Sequence, residues 1–303
     1  LDVERIPCLA AQRQDSRLGI DGRPARRKRG VPLMGHQRAG TQQRSEFDMR
    51  FLKAVAIAHS GRLGNNLQAV SSVGKAASRV ADKNAPFGPF KTSEPPEWLD
   101  WDLWLGPTPK VDFCQERLGW NFRWWFEYSG GQVTDWGVHH TDIAFWALAG
   151  TEGQAVEAEG SGEFMFVKRE LVRDFLLGKV PPKDMPLGYN TAYSFDVDIK
   201  LSTGNVIKLV SGENQLLISG DRGRIRVNRD RLTGKPVEEV DADPKAKQEI
   251  EELMAKLYGG ELPKKSLGHM QNFFDCVRAT NRLPTFASMS ARSTLATWRT
   301  SPC

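Results

Sequence analysis

Cysteine is scarce in this chain. The four present in 303 residues, Cys8, Cys114, Cys276 and Cys303, stand far apart and form no C-x-x-C pair. Such spacing indicates neither a disulfide framework nor a zinc ribbon. Long apolar runs are also missing. The longest uncharged apolar stretch, Ile143 to Gly150, is far below the ~20 residues of a bilayer-spanning helix. No membrane association is expected. No N-terminal segment has the apolar h-region of a secretory leader, so the cytoplasm is the default compartment. Aromatic residues are absent from residues 1–46, which hold the basic cluster Arg23, Arg26, Arg27, Lys28 and Arg29. A basic run without interleaved aromatics reads as a solvated tail rather than a nucleic-acid surface.

The formal charge of +5 belongs entirely to that stretch. Residues 1–46 carry ten basic and five acidic side chains, and the remainder carries 32 of each. No nucleic-acid partner is therefore implied for the body of the chain. Length predicts about two domains. The division expected is an irregular basic segment over 1–39, a remnant of a nucleotide-binding domain with its linker over 40–97, and a substrate domain over 98–303. Residues 1–39 show no helical or strand periodicity, and order begins abruptly at Gly40. The reading for 1–39 is an aberrant opening, with the N-terminal domain incomplete.

Apolar residues Phe47, Phe51, Ala54, Val55 and Ala58 fall at helical spacing and predict a helix over 46–60. A short strand is expected over 67–73, then a proline-rich linker over 74–97. Eight of the nine tryptophans lie between Trp98 and Trp146, a density expected of a core or a stacking wall. Residues 194–201 alternate Phe195, Val197, Ile199 and Leu201 with Asp196, Asp198 and Lys200, the pattern of a half-buried strand. Strands are also expected over 205–210, 215–219 and 224–228. Their succession without helices predicts an antiparallel sheet. Helices are expected over 244–258 and 267–280, with a helical start after Ser288.

The densest chemistry lies in the run from Gly130 to Asp142. Two glycines close an extended segment, and Asp135, His139, Asp142 and Trp146 follow at intervals of four, three and four. On an α-helix those intervals share one face, so Asp135 is expected to reach His139. A carboxylate beside an imidazole orients it and raises its proton affinity, as a general base for a hydroxyl requires. The bland alternative is an acidic residue at a helix start beside a packed histidine. A metal site built from His139, His140 and Asp142 fits less well, since neighbouring helical residues point about 100° apart. No metal is expected.

Three runs carry a family resemblance: Trp101-Asp102-Leu103-Trp104-Leu105-Gly106-Pro107, Asn121-Phe122-Arg123-Trp124-Trp125, and Gly130 to Asp142. With Gly40 to Ser45, Gly220-Asp221-Arg222-Gly223 and His269 to Phe273, the chain resembles Gfo/Idh/MocA oxidoreductases, relatives of glucose–fructose oxidoreductase and inositol dehydrogenase, from Gly40 to about Arg282. The resemblance implies an α/β (α+β) fold: a Rossmann NAD(P)-binding domain, here a remnant, followed by an α/β domain on a large, mostly antiparallel open sheet. It implies NAD or NADP as cofactor, a sugar or polyol substrate, and homo-oligomers formed through the open sheet. Asp135 and His139 match the family's D-x-x-x-H, with His139 transferring the proton. The expected substrate contacts are Arg123, Trp124, Tyr128, His140 and Trp104; the expected cofactor contacts are Arg44 and Arg123.

Two features of that family are missing. No G-x-G-x-x-G follows a strand, as a dinucleotide site would require, and no Glu-Lys-Pro carries a catalytic lysine. The expectations are thus an NAD(P)-dependent sugar or polyol oxidoreductase, a non-catalytic binding or interaction module, or a metal-assisted isomerase or hydrolase.

Overall fold

The computed structural model describes residues 49–75, 87–149, 153–258 and Leu262. Helix α1 (Arg50–His59) opens the described chain and strand β1 (Gln68–Val73) follows. A short helix α2 (Trp101–Leu105) begins at Asp100, whose carboxylate caps it by accepting from the Leu103 N–H at 2.9 Å. A π-helical turn (Val133–Gly137) then runs directly into helix α3 (Val138–Ala149). Beyond it lie β2 (Ala155–Glu163), α4 (Arg169–Leu176), β3 (Ser194–Leu201), β4 (Val206–Ser211), β5 (Gln215–Ser219), β6 (Arg224–Val227) and β7 (Leu232–Thr233). Helices α5 (Lys235–Ala242) and α6 (Pro244–Tyr258) complete the described residues.

All seven strands form one sheet in the order β2-β3-β4-β1-β5-β6-β7. Only β1 and β4 pair in parallel, with Gln68 opposite Val206 and Val73 opposite Ser211; every other pair is antiparallel. The fold is therefore the expected α/β architecture with a large, mostly antiparallel sheet. Strand β1 lies in the expected 40–97 segment, yet it sits in the middle of this sheet. The core does not change at residue 97.

Period-2 alternation sends Ala69, Ile207, Leu216, Ile218 and Ile225 to one face, where Phe51, Leu52, Val55 and Ile57 of α1, Ile143 and Trp146 of α3, and Ile250 of α6 cover them. Each such side chain contributes about 1.5–3 kcal/mol on burial. Solvated residues hold the charges of β2, β3 and β4: Lys208 bridges Asp196 and Asp198, and Lys200 meets Glu157 at 2.9 Å. Further along the helix-covered face, Val73 and Leu209 pack against Val133 and Trp136 of the π turn. The turn and the start of α3 thus sit over the C-terminal end of β1.

Most expected elements form within a few residues of their predicted bounds. Helices α4 and α5 were not anticipated; α5 starts just after Gly234, with Pro236 in its first turn. The helices expected over 267–280 and after Ser288 lie outside the described residues, as do Arg44, residues 1–39 and Gly40 to Ser45. Among the described residues no helix is long and apolar enough to cross a membrane.

Candidate functional site

Gly131 holds φ at 65°, and a side chain there would strike Thr191. Only glycine takes that left-handed corner at no steric cost. The corner is pinned on both sides. The Gly131 N–H donates to the Arg123 carbonyl at 2.9 Å, and the Asp135 N–H donates back to the Gly131 carbonyl at 3.0 Å. Buried Gln132 donates from Nε2 to the Gly74 carbonyl just beyond β1, at 2.9 Å. Gly137 then bonds back five residues to Gln132 at 2.8 Å, the signature of a π turn.

That turn overrides the helical spacing read from the sequence. A wider turn puts more residues in each revolution, so Asp135 is not stacked one α-turn below His139. Its carboxylate instead forms an ion pair with Nη1 of Arg123. Arg123 is held from its other side by donating from Nε to the Trp120 carbonyl at 2.9 Å, and its guanidinium lies 4.9 Å from the Trp120 ring. In place of the expected reach of Asp135 to His139 across one helical turn, the two are related electrostatically.

His139 is half-buried, and its Nδ1 is sealed from solvent with no hydrogen-bond partner. The Trp136 indole stands edge-on to its ring at 6.5 Å. Burial, then the positive charge of Arg229, hold the imidazole below its ordinary titration range, while Asp135 and Asp142 pull the other way. At neutral pH the ring is a neutral proton acceptor.

His140, expected to touch substrate, lies wholly inside the core. Its Nε2 donates to Asn214 Oδ1 at 2.7 Å, and the Phe51 ring packs 6.1 Å away. Burial lowers its pKa to about 4. It supports the site from behind and is not available to share a metal ion with His139. Among the described residues no group of three His, Cys, Asp or Glu side chains is placed to hold a metal.

The remaining expected contacts fall into two groups. Trp124 is buried beside Arg123. Trp104 and Tyr128 belong to a separate aromatic wall: Trp104 stacks on Trp101 at 4.7 Å, and Tyr128 meets its edge at 5.1 Å. Burial pushes the Tyr128 hydroxyl up to about 12, and that hydroxyl accepts from Arg117 Nη1 at 2.8 Å. Arg117 also pairs with Glu127 at 3.2 Å and lies 3.9 Å from the Trp125 ring. A cavity of about 410 Å³, lined by Trp101, Leu105, Lys110, Arg117 and Met185 among others, opens on this wall. It contains no imidazole and includes none of Arg123, Asp135 and His139, so its size does not make it the reaction centre. Sequence reasoning missed Arg117, Glu127, Trp136 and Arg229. Charges inside a tryptophan-rich stretch were the available signal for the first two, and nothing local marked Arg229.

Residues 66–163 match the sequence model of an oxidoreductase family's C-terminal alpha/beta domain, that of Gfo/Idh/MocA. Over that segment the chain is similar to the C-terminal domain of the Gfo/Idh/MocA oxidoreductases. The match covers β1, the Arg123–Asp135 pair, His139 and β2, so the candidate site lies inside the matched segment while Arg229 lies beyond it. No curated protein matches this chain. The chain is similar to the WlbA dehydrogenase of Chromobacterium violaceum, solved with NADH and UDP-GlcNAcA, at 12% identity and a TM-score of 0.38, over 82% of this chain and 56% of that one. A levoglucosan dehydrogenase solved with NADH and L-sorbose aligns at 17% identity and a TM-score of 0.35, over 64% and 41%. The aldose–aldose oxidoreductase of Caulobacter crescentus, complexed with glycerol, aligns at 14% and 0.34, over 80% and 60%. The chain thus spans between 41% and 60% of the length of these structures.

Proposed function

We propose that this site serves an NAD(P)-dependent oxidoreductase of the Gfo/Idh/MocA type acting on a sugar or polyol, with His139 exchanging the hydroxyl proton. The observation that carries the reading is the half-buried His139 imidazole, held neutral beside two carboxylates. Burial and Arg229 keep the ring ready to accept a proton. As charge develops on it, Asp135 and Asp142 stabilise the imidazolium. Arg123 fixes the Asp135 carboxylate and keeps it from collapsing onto the ring. Trp120, which is largely exposed, lies against that pair and offers apolar surface for a sugar face, with buried Trp124 packed behind it.

A dinucleotide needs a glycine-rich turn presenting free N–H groups at the start of a helix. The junction from β7 into α5 does not fit. A side chain at Gly234 would strike the Arg224 carbonyl, so that glycine accommodates the sheet backbone, and Pro236 removes an N–H from the first turn. That junction therefore offers no pyrophosphate cradle, and the role proposed for the described residues is the proton-handling part of the reaction. Oligomers through the open sheet face belong to the same proposal.

Two measurements test it. Titration of the full chain with NADH and NADPH, followed by nicotinamide fluorescence, separates the readings: saturable binding of either supports the oxidoreductase, and binding of neither favours the non-catalytic binding module. His139→Ala should lower turnover of an oxidisable polyol by about 10² or more, the usual contribution of a general base. Turnover equal to that of the unaltered chain refutes the role given to His139.

A further inference from the structure

The hairpin joining β6 to β7 is tied down more firmly than a short surface turn requires. The Asn228 N–H donates to the Arg231 carbonyl at 3.0 Å. The Asn228 side-chain oxygen accepts from the N–H groups of Asp230 and Arg231, each at 2.9 Å. Arg50 of α1 reaches across and donates from Nη1 to the Arg229 carbonyl at 2.6 Å. The main chain on both sides of Arg229 is thereby fixed. Its guanidinium lies 4.2 Å from the centre of the Trp136 ring, and Trp136 stands edge-on to His139. A cation on an indole face is attracted by the ring's quadrupole.

We infer that Arg229 is a positioning residue of the His139 site: seated on Trp136, it sets that ring against the imidazole and plants a fixed positive charge beside it. The inference rests on the proton-transfer reading of His139 for its purpose, not for its geometry. Among the described residues, the charged and titratable groups acting on the imidazole are Asp135 on the π turn, Asp142 and His140 on α3, and Arg229 on the hairpin. Arg123 is engaged with Asp135. Among the described residues, Arg229 is the cation whose charge opposes that of the two carboxylates at the imidazole. Without it, Asp135 and Asp142 would draw His139 toward the protonated form, which accepts nothing.

The test is an NMR titration of the imidazole Cε1–H signals in the full chain, with His139 assigned as the resonance lost in His139→Gln. The unaltered protein should titrate below the ordinary histidine value. Arg229→Gln and Arg229→Met should both raise the His139 midpoint by about half a pH unit or more. Arg229→Lys should restore most of the original value. Arg222→Gln, which removes an exposed positive charge elsewhere, should leave it in place. An unmoved midpoint in folded Arg229→Gln and Arg229→Met, or an equal rise in Arg222→Gln, overturns the inference. Unfolding of both charge-removed variants also overturns it, by assigning Arg229 to stability alone. Because the titration needs no turnover, its outcome is independent of whether His139→Ala abolishes activity.

Discussion

Arg117 and Arg123 stand close together in sequence, each paired with a carboxylate and each lying on a tryptophan. Their surroundings differ. The side chains of Arg117 and Glu127 are 3% and 1% exposed, and Glu127 also accepts from Asn190 at 3.0 Å. Those of Arg123 and Asp135 are 10% and 27% exposed, and Asp135 acts electrostatically on His139. The first pair is buried inside an aromatic cluster; the second is partly open to solvent. Under the proposed function, similar chemistry serves stability in one place and reaction in the other, and the difference is access.

That contrast breaks most visibly at Glu127. Glu127→Ala leaves the Arg117 guanidinium buried without its counter-charge and should cost about 3–5 kcal/mol, read as a shift in the urea unfolding midpoint. The double change Arg117→Met with Glu127→Leu should recover most of that loss, since an apolar replacement of both partners is often neutral. A single variant as stable as the unaltered chain would remove the structural role given to this pair.

His140 supplies the next effect. Its folded-state pKa of about 4 lies below the ordinary 6.5, so the unfolded chain binds the proton more readily between those values. The stabilisation is fully present above pH 6.5 and is lost as the pH falls toward 4, by about 3 kcal/mol. Unfolding free energies measured across that window should fall more steeply for the unaltered chain than for His140→Gln. Parallel curves would place the acid sensitivity elsewhere.

The smallest effect on stability is expected at the second pair. Asp135→Asn should change the unfolding free energy by only about 1 kcal/mol, because water already reaches the pair. Its larger consequence should be a fall in turnover, measured beside the His139→Ala assay. A destabilisation matching that of Glu127→Ala would erase the distinction between the two pairs.

Much of this architecture was legible along the chain. The alternation of Phe195, Val197, Ile199 and Leu201 announces β3, and the helical spacing of Phe51, Val55 and Ala58 announces α1, because periodicity is a local property. The chemistry of 130–142 was visible as well, since glycines followed by Asp135 and His139 mark a corner before a helix. The pairing within it was not. An α-helical count assigns Asp135 to His139, whereas the i→i+5 bond from Gly137 to Gln132 turns it to Arg123. His140 likewise reads as a site residue until Asn214, far along the chain, claims its Nε2.

Residue order alone therefore determined the element types, the half-polar sheet and the place where the chemistry gathers, because each follows from side-chain spacing and turn residues within a few positions. Only the tertiary structure decided which charge meets which. A seven-stranded sheet carries the β6–β7 hairpin back beside α3, and electrostatic partners are chosen by distance in space, which chain separation does not encode.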